Sequence, residues 1–167
     1  MDPEDPVAAD PMMRTLRERH PDVNIVLLPP VEPILDQPSA TAAQCRALQK
    51  HADTVLATLS LNVEREPSTR VDYWWSQHHP EVRRWVTAAG FTDLGDDALP
   101  MIRDVGNLLV RLGWEPRPAA DGSTRLRGVA GPFELIASAV GDAVSITITS
   151  DPLYIPADLY DDLRVPA

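Results

Sequence analysis

The residues whose types could carry chemistry are four histidines, one cysteine and a run of three aromatic rings. A zinc site needs three or four His, Cys or carboxylate ligands that converge. His20, His51, His78 and His79 offer no H-x-x-x-H spacing, and adjacent residues on an extended segment point to opposite sides. His78-His79 therefore reads as a surface pair just before a helix, and no metal site is expected. Cys45 lies six residues from His51 in a helical pattern, which puts the two on different faces. The thiol reads as a small buried hydrophobe rather than a nucleophile. G-x-S-x-G, G-x-G-x-x-G and G-x-x-x-x-G-K-[ST] are all missing. Asp96-Asp97 reads as a cap for the helix that follows. No catalytic residue and no cofactor are expected.

The aromatic run Tyr73-Trp74-Trp75 is the most unusual local feature. No regular backbone buries three consecutive large rings on one face. Tyr73, Trp74, Trp75, His78 and His79 are accordingly the candidate binding residues, on a connection between two helical patterns, where loops run over the surface. Aromatic residues also dominate binding energy at protein interfaces. The plainer alternative is that the rings lid a helix–sheet core.

Elements that would position these residues follow from the punctuation by 17 prolines. Asp10 as N-cap and Pro11 at the first helical position open a short helix to about His20. Val23 to Leu28 reads as a strand, and residues 29–38, with four prolines, as an extended linker. From Ser39, Leu48, Ala52, Val55, Leu56, Leu59 and Val63 form one apolar stripe at helical spacing, ended by Pro67. Pro80 opens a further predicted helix carrying Val82, Trp85, Val86 and Ala89, with Gly90 as its cap. A third long helix is predicted from Ala98 to Leu112, with Gly113 behind it.

From Trp114 the apolar period changes from 3.6 to 2. Strands are predicted at 114–118, 124–129, 133–140 and 143–149, separated by Ala120-Asp121-Gly122, Gly131-Pro132 and Gly141-Asp142. Phe133, Leu135, Val144, Ile146 and Ile148 should face the helices. The fold class is then α+β, with helices packed on one face of a C-terminal antiparallel β-meander. The division is a Pro-rich N-terminal arm over 1–38, an α+β domain over 39–156 and a tail over 157–167 with one helical turn at Asp158 to Leu163.

The chain has 167 residues, 44% of them hydrophobic and 24% charged, enough for one core without disulfides. Its net charge of −10 repels nucleic acid and anionic membrane surfaces unless basic residues cluster, and they do not. No run approaches the roughly 20 apolar residues of a membrane span. A single cysteine excludes an intrachain disulfide. The N-terminus carries neither the basic nor the apolar part of a signal peptide, so the chain as it stands points to the cytoplasm. A leader removed before it would place it in the cell envelope instead.

Residues 106–156 resemble small actinobacterial cell-envelope lipoproteins. The resemblance rests on Leu108-Leu109 with Gly113-Trp114, a Gly-containing turn between paired strands, and Ile146-Thr147-Ile148-Thr149-Ser150 before Asp151-Pro152. It covers about a third of the chain and implies a helix-plus-sheet module without enzymatic activity. The lipidated cysteine with its leader, and a cysteine near Asp151, are missing here. High Ala, Arg, Asp and Pro content fits a GC-rich actinobacterial source. The function expected is that of a non-enzymatic accessory protein that docks onto a protein partner. The alternative is an envelope module binding a small apolar or glycan ligand. The oligomeric state does not follow from the sequence.

Overall fold

The computed structural model describes residues 11–22, 38–76, 78–119 and 123–164. The strand expected at 23–28, the linker at 29–38 up to its last residue, and the turn at Ala120-Asp121-Gly122 lie outside the described residues. The chain divides into two units, Met1–Leu35 and Asp36–Ala167. In the first, helix α1 (Pro11–Arg19) begins on Pro11, whose missing N–H costs nothing in a first turn.

The second unit is α+β. In chain order it holds α2 (Ala42–Val63), β1 (Thr69–Ser76), β2 (Val82–Phe91), a 3-10 turn (Gly95–Asp97) and α3 (Ala98–Arg111). Then come β3 (Glu115–Pro118), β4 (Arg125–Ala130), β5 (Phe133–Val140), β6 (Ala143–Ser150), β7 (Leu153–Tyr154) and α4 (Ala157–Arg164). The strands make one antiparallel sheet in the order β1-β2-β6-β5-β4-β3, with β7 beside β2. β3 to β6 are the expected meander. Gly131 and Gly141 take positive φ in its two described tight turns, where a side chain would be strained.

Helix α2 opens with a capping box: Thr41 Oγ1 accepts from the Gln44 N–H, and the Gln44 side chain accepts from the Thr41 N–H. Cys45, Ala52, Val55, Leu56 and Leu59 are buried on its inner face, with Leu48 and Val63 partly so. Helix α3 buries Met101, Val105, Leu108 and Leu109. Phe133, Leu135, Val144, Ile146 and Ile148 meet these helices in one core cluster. A Cβ on Gly128 of β4 would stand 3.0 Å from Leu109 Cδ1, so this glycine lets α3 lie close against the sheet. Leu112, just past the end of α3, is exposed.

Three local expectations are corrected. The helix predicted after Pro80 is strand β2. The spacing of Val82, Trp85, Val86 and Ala89 is helical, but the row that turns inward is the alternating set Trp85, Thr87, Ala89 and Phe91. The β-branched and aromatic residues favour a pleated backbone, and β2 pairs with both β1 and β6. Gly90 is consequently no helix cap. It lies opposite Thr69, where a Cβ would come within 2.6 Å of Thr69 Oγ1. Asp97 caps nothing with its side chain and instead pairs with Arg65 at 3.2 Å. After Pro152, β7 adds to β2, Ile155 is fully buried, and Leu159, Tyr160 and Leu163 of α4 pack on the core.

Candidate functional site

The aromatic run lies on β1, a strand rather than the loop expected. Strand alternation splits it. Trp74 turns to the helix side and is 9% exposed, while Tyr73 and Trp75 turn outward at 44% and 41%. Val71, 57% exposed, extends the outward row, so Val71, Tyr73 and Trp75 stand at alternate positions. Their direct partners on β2 are Ala88, Val86 and Arg84. Inside, Trp74 meets Trp85 edge to face with ring centroids 5.2 Å apart. Trp85 Nε1 donates to Thr87 Oγ1 at 3.1 Å, and Trp85 N to Ser150 Oγ at 2.9 Å. Trp74 is therefore structural, and Tyr73 and Trp75 are the rings available to a ligand.

Among the described residues β1 is the end strand of the sheet, eight residues long and free of proline. Arg70, near its start, donates to Asp72 and Asp53, and the Asp72 bond in particular raises its pKa further above the ordinary value. The opposite end strand, β3, has four residues, two of them Pro116 and Pro118. Proline has no N–H to offer, so β3 is a blocked edge, and β1, among the described residues, carries no such block.

His78 and His79 follow in the hairpin between β1 and β2. They share one cavity of about 270 Å³ with Trp75, Val82, Arg84 and Pro152. The sequence reading set the two rings on opposite sides of an extended segment, but the turn at 78–81 brings both to this cavity. His79 Nδ1 accepts from the Glu81 N–H at 3.1 Å, so the ring hydrogen of neutral His79 sits on Nε2. Glu81 is itself held: its carbonyl accepts from the Ile155 N–H at 2.7 Å and its carboxylate from the Tyr154 hydroxyl at 3.3 Å. Burial, then the Glu81 charge, push the Tyr154 phenol above its ordinary pKa.

Arg83 and Arg84 point to opposite faces of β2. The Arg83 guanidinium carbon lies 3.5 Å above the centroid of the Tyr160 ring on α4, a cation–π contact. Arg84 stands across from Trp75 on the outer face, with no ion pair or hydrogen bond among the described residues. Sequence reasoning missed Val71, Val82, Arg84 and Pro152. The alternation of 71, 73 and 75 was the available signal, and placing 80–90 on a helix hid it.

A second cavity, about 400 Å³, is lined by Gln49, Asp72, Tyr73, Trp74, Trp85, Tyr160 and Leu163 on the helix side of β1. Cys45 is fully buried, and burial pushes its thiol above the ordinary pKa, against nucleophilic use. His51 stacks on Phe133 with centroids 4.7 Å apart, away from Cys45 chemistry. Among the described residues, no three His, Cys, Asp or Glu side chains group as a metal site. No helix among them is long and apolar enough to cross a membrane. No protein-family model matches the chain, and no curated protein or solved structure matches it.

Proposed function

We propose that the chain is a non-enzymatic accessory protein that docks onto a protein partner through β1 and its outward row. The observation that carries this reading is the asymmetry of the two sheet edges. β3 is short and blocked by prolines, whereas β1 offers eight unblocked residues with Val71, Tyr73 and Trp75 exposed beside them. An open edge of this kind accepts an added strand: main-chain hydrogen bonds supply affinity, and alternate side chains supply selectivity. Exposed aromatic rings add large contact area at little entropic cost.

The deciding experiment places a photo-crosslinking side chain at position 73 and, as a control, at Val140, which is exposed at the β5–β6 turn. Crosslinks to the same partner that form at 73, not at 140, and vanish on adding a Val71→Pro change support docking on β1. Equal yield at both positions, or crosslinking only to free copies of the chain itself, defeats the reading. A second reading, an envelope module for a small apolar or glycan ligand, draws support from the 400 Å³ cavity with its indole and phenol walls. A glycan that shifts the Trp74 and Trp85 indole resonances while leaving that of Trp75 in place would favour it.

A further inference from the structure

We infer that the cavity beside Trp75 receives the chain-terminal carboxylate of the docked partner, on a last residue whose side chain is apolar. This rests on the docking reading and names the partner's chemistry. The walls divide into two kinds. Trp75, Val82 and Pro152 present apolar surface, and Arg84, His78 and His79 present donors of hydrogen bonds. Among the described residues no carboxylate lines the cavity; of the two acids next to its walls in sequence, Glu81 is engaged by Tyr154 and Asp151, beside Pro152, is exposed to solvent. This local cationic character stands out in a chain of net charge −10.

Charge complementarity therefore selects an anion, and the apolar walls select a group attached to it. The volume of about 270 Å³ suits a single residue. Asp and Glu place the charge on the side chain itself and leave the indole wall uncovered. A C-terminal apolar residue carries both features at once, with its carboxylate toward Arg84 and its side chain against Trp75. Arg is suited to that task because its planar donor fork matches a carboxylate. Trp75 belongs both to the outward row of β1 and to the cavity wall, so a strand laid along β1 leads to the cavity without a break. His79 is held for its part by the Glu81 N–H, which fixes the ring and its Nε2 hydrogen.

The test titrates the full chain with acetyl-Val-Thr-Val-Phe bearing either a free carboxylate or an amide at its C-terminus. Tryptophan indole resonances and the urea midpoint are followed. The free acid is expected to bind about tenfold or more tightly than the amide, the size of one charge-assisted hydrogen bond. The shift should centre on the Trp75 indole. Arg84→Gln is expected to erase that preference while leaving the Trp74 resonance and the urea midpoint unchanged. Equal affinity for acid and amide overturns the inference and leaves docking along β1 standing, as does a preference that survives Arg84→Gln. Acetyl-phenylalanine binding as tightly as the tetrapeptide overturns it too, because the cavity would then be a small-molecule site. Absence of binding by either peptide at about 5 mM removes it as well.

Discussion

Trp74 and Trp85 face each other directly across the β1–β2 pair, and their indoles meet at 64° with centroids 5.2 Å apart. This contact ties the end strand to the core from the helix side. An edge-to-face pair contributes about 1 kcal/mol beyond the area it buries. Among the described residues no strand pairs with the outer side of β1, and this inner contact adds to its pairing with β2 in holding the edge.

That division predicts opposite outcomes for neighbouring residues. Trp74→Ala should cost about 3–5 kcal/mol in unfolding free energy, whereas Trp75→Ala should stay within about 1 kcal/mol. Urea titrations of the two variants decide it. Similar midpoints for both would mean that the strand's inward and outward faces are misassigned.

Leu56 on α2 and Ile146 on β6 are both buried in the single core cluster. Leu56→Ala and Ile146→Ala are each expected to lose about 2–5 kcal/mol. An unchanged urea midpoint in either variant would contradict its place in the core.

Gly128→Ala tests how closely α3 approaches the sheet. The added methyl group meets Leu109 Cδ1 at 3.0 Å and Trp114 Cε3 at 3.4 Å, so repacking should cost about 1–3 kcal/mol. A neutral or stabilising result would place α3 farther from β4 than described.

Alkaline pH should destabilise the fold. Cys45 and Tyr154 have folded pKa values raised above their ordinary values of 9.0 and 10.0, in each case first by burial. Below those values both states hold the proton and the stabilising contribution is complete. As pH rises through them, the unfolded chain releases protons that the folded chain retains, and the contribution is lost. The urea midpoint should therefore fall between about pH 8 and about pH 10.5, and fall less in Cys45→Ala. A midpoint flat across that range in the parent protein would refute the linkage.

Purified protein should contain no stoichiometric zinc or iron. Among the described residues His78 and His79 share a cavity with Arg84 and with no carboxylate or thiolate, which is a poor ligand set for a cation. Elemental analysis returning one equivalent of metal, lost in the His78→Ala/His79→Ala double variant, would reverse this.

Much of the architecture is written locally in the residues. The 3.6-residue spacing of Leu48 to Val63 and the alternation of Val144, Ile146 and Ile148 each specify one face of one element, and the box between Thr41 and Gln44 fixes where α2 begins. The consecutive rings at 73–75 likewise foretold that some would be outside, because side-chain direction follows from backbone period alone. Residues 80–90 show where this ends. Val82, Trp85, Val86 and Ala89 carry the spacing of a helix, and the strand was decided by partners far along the chain, Val86 with Thr149 and Trp85 N with Ser150 Oγ. The meeting of Trp75, both histidines, Arg84 and Pro152 in one cavity depends on that same pairing. Strand order, which among the described residues puts β1 at the end of the sheet and encloses β2, arises from contacts between residues tens of positions apart. Periodicity, a property of adjacent residues, carries no record of them.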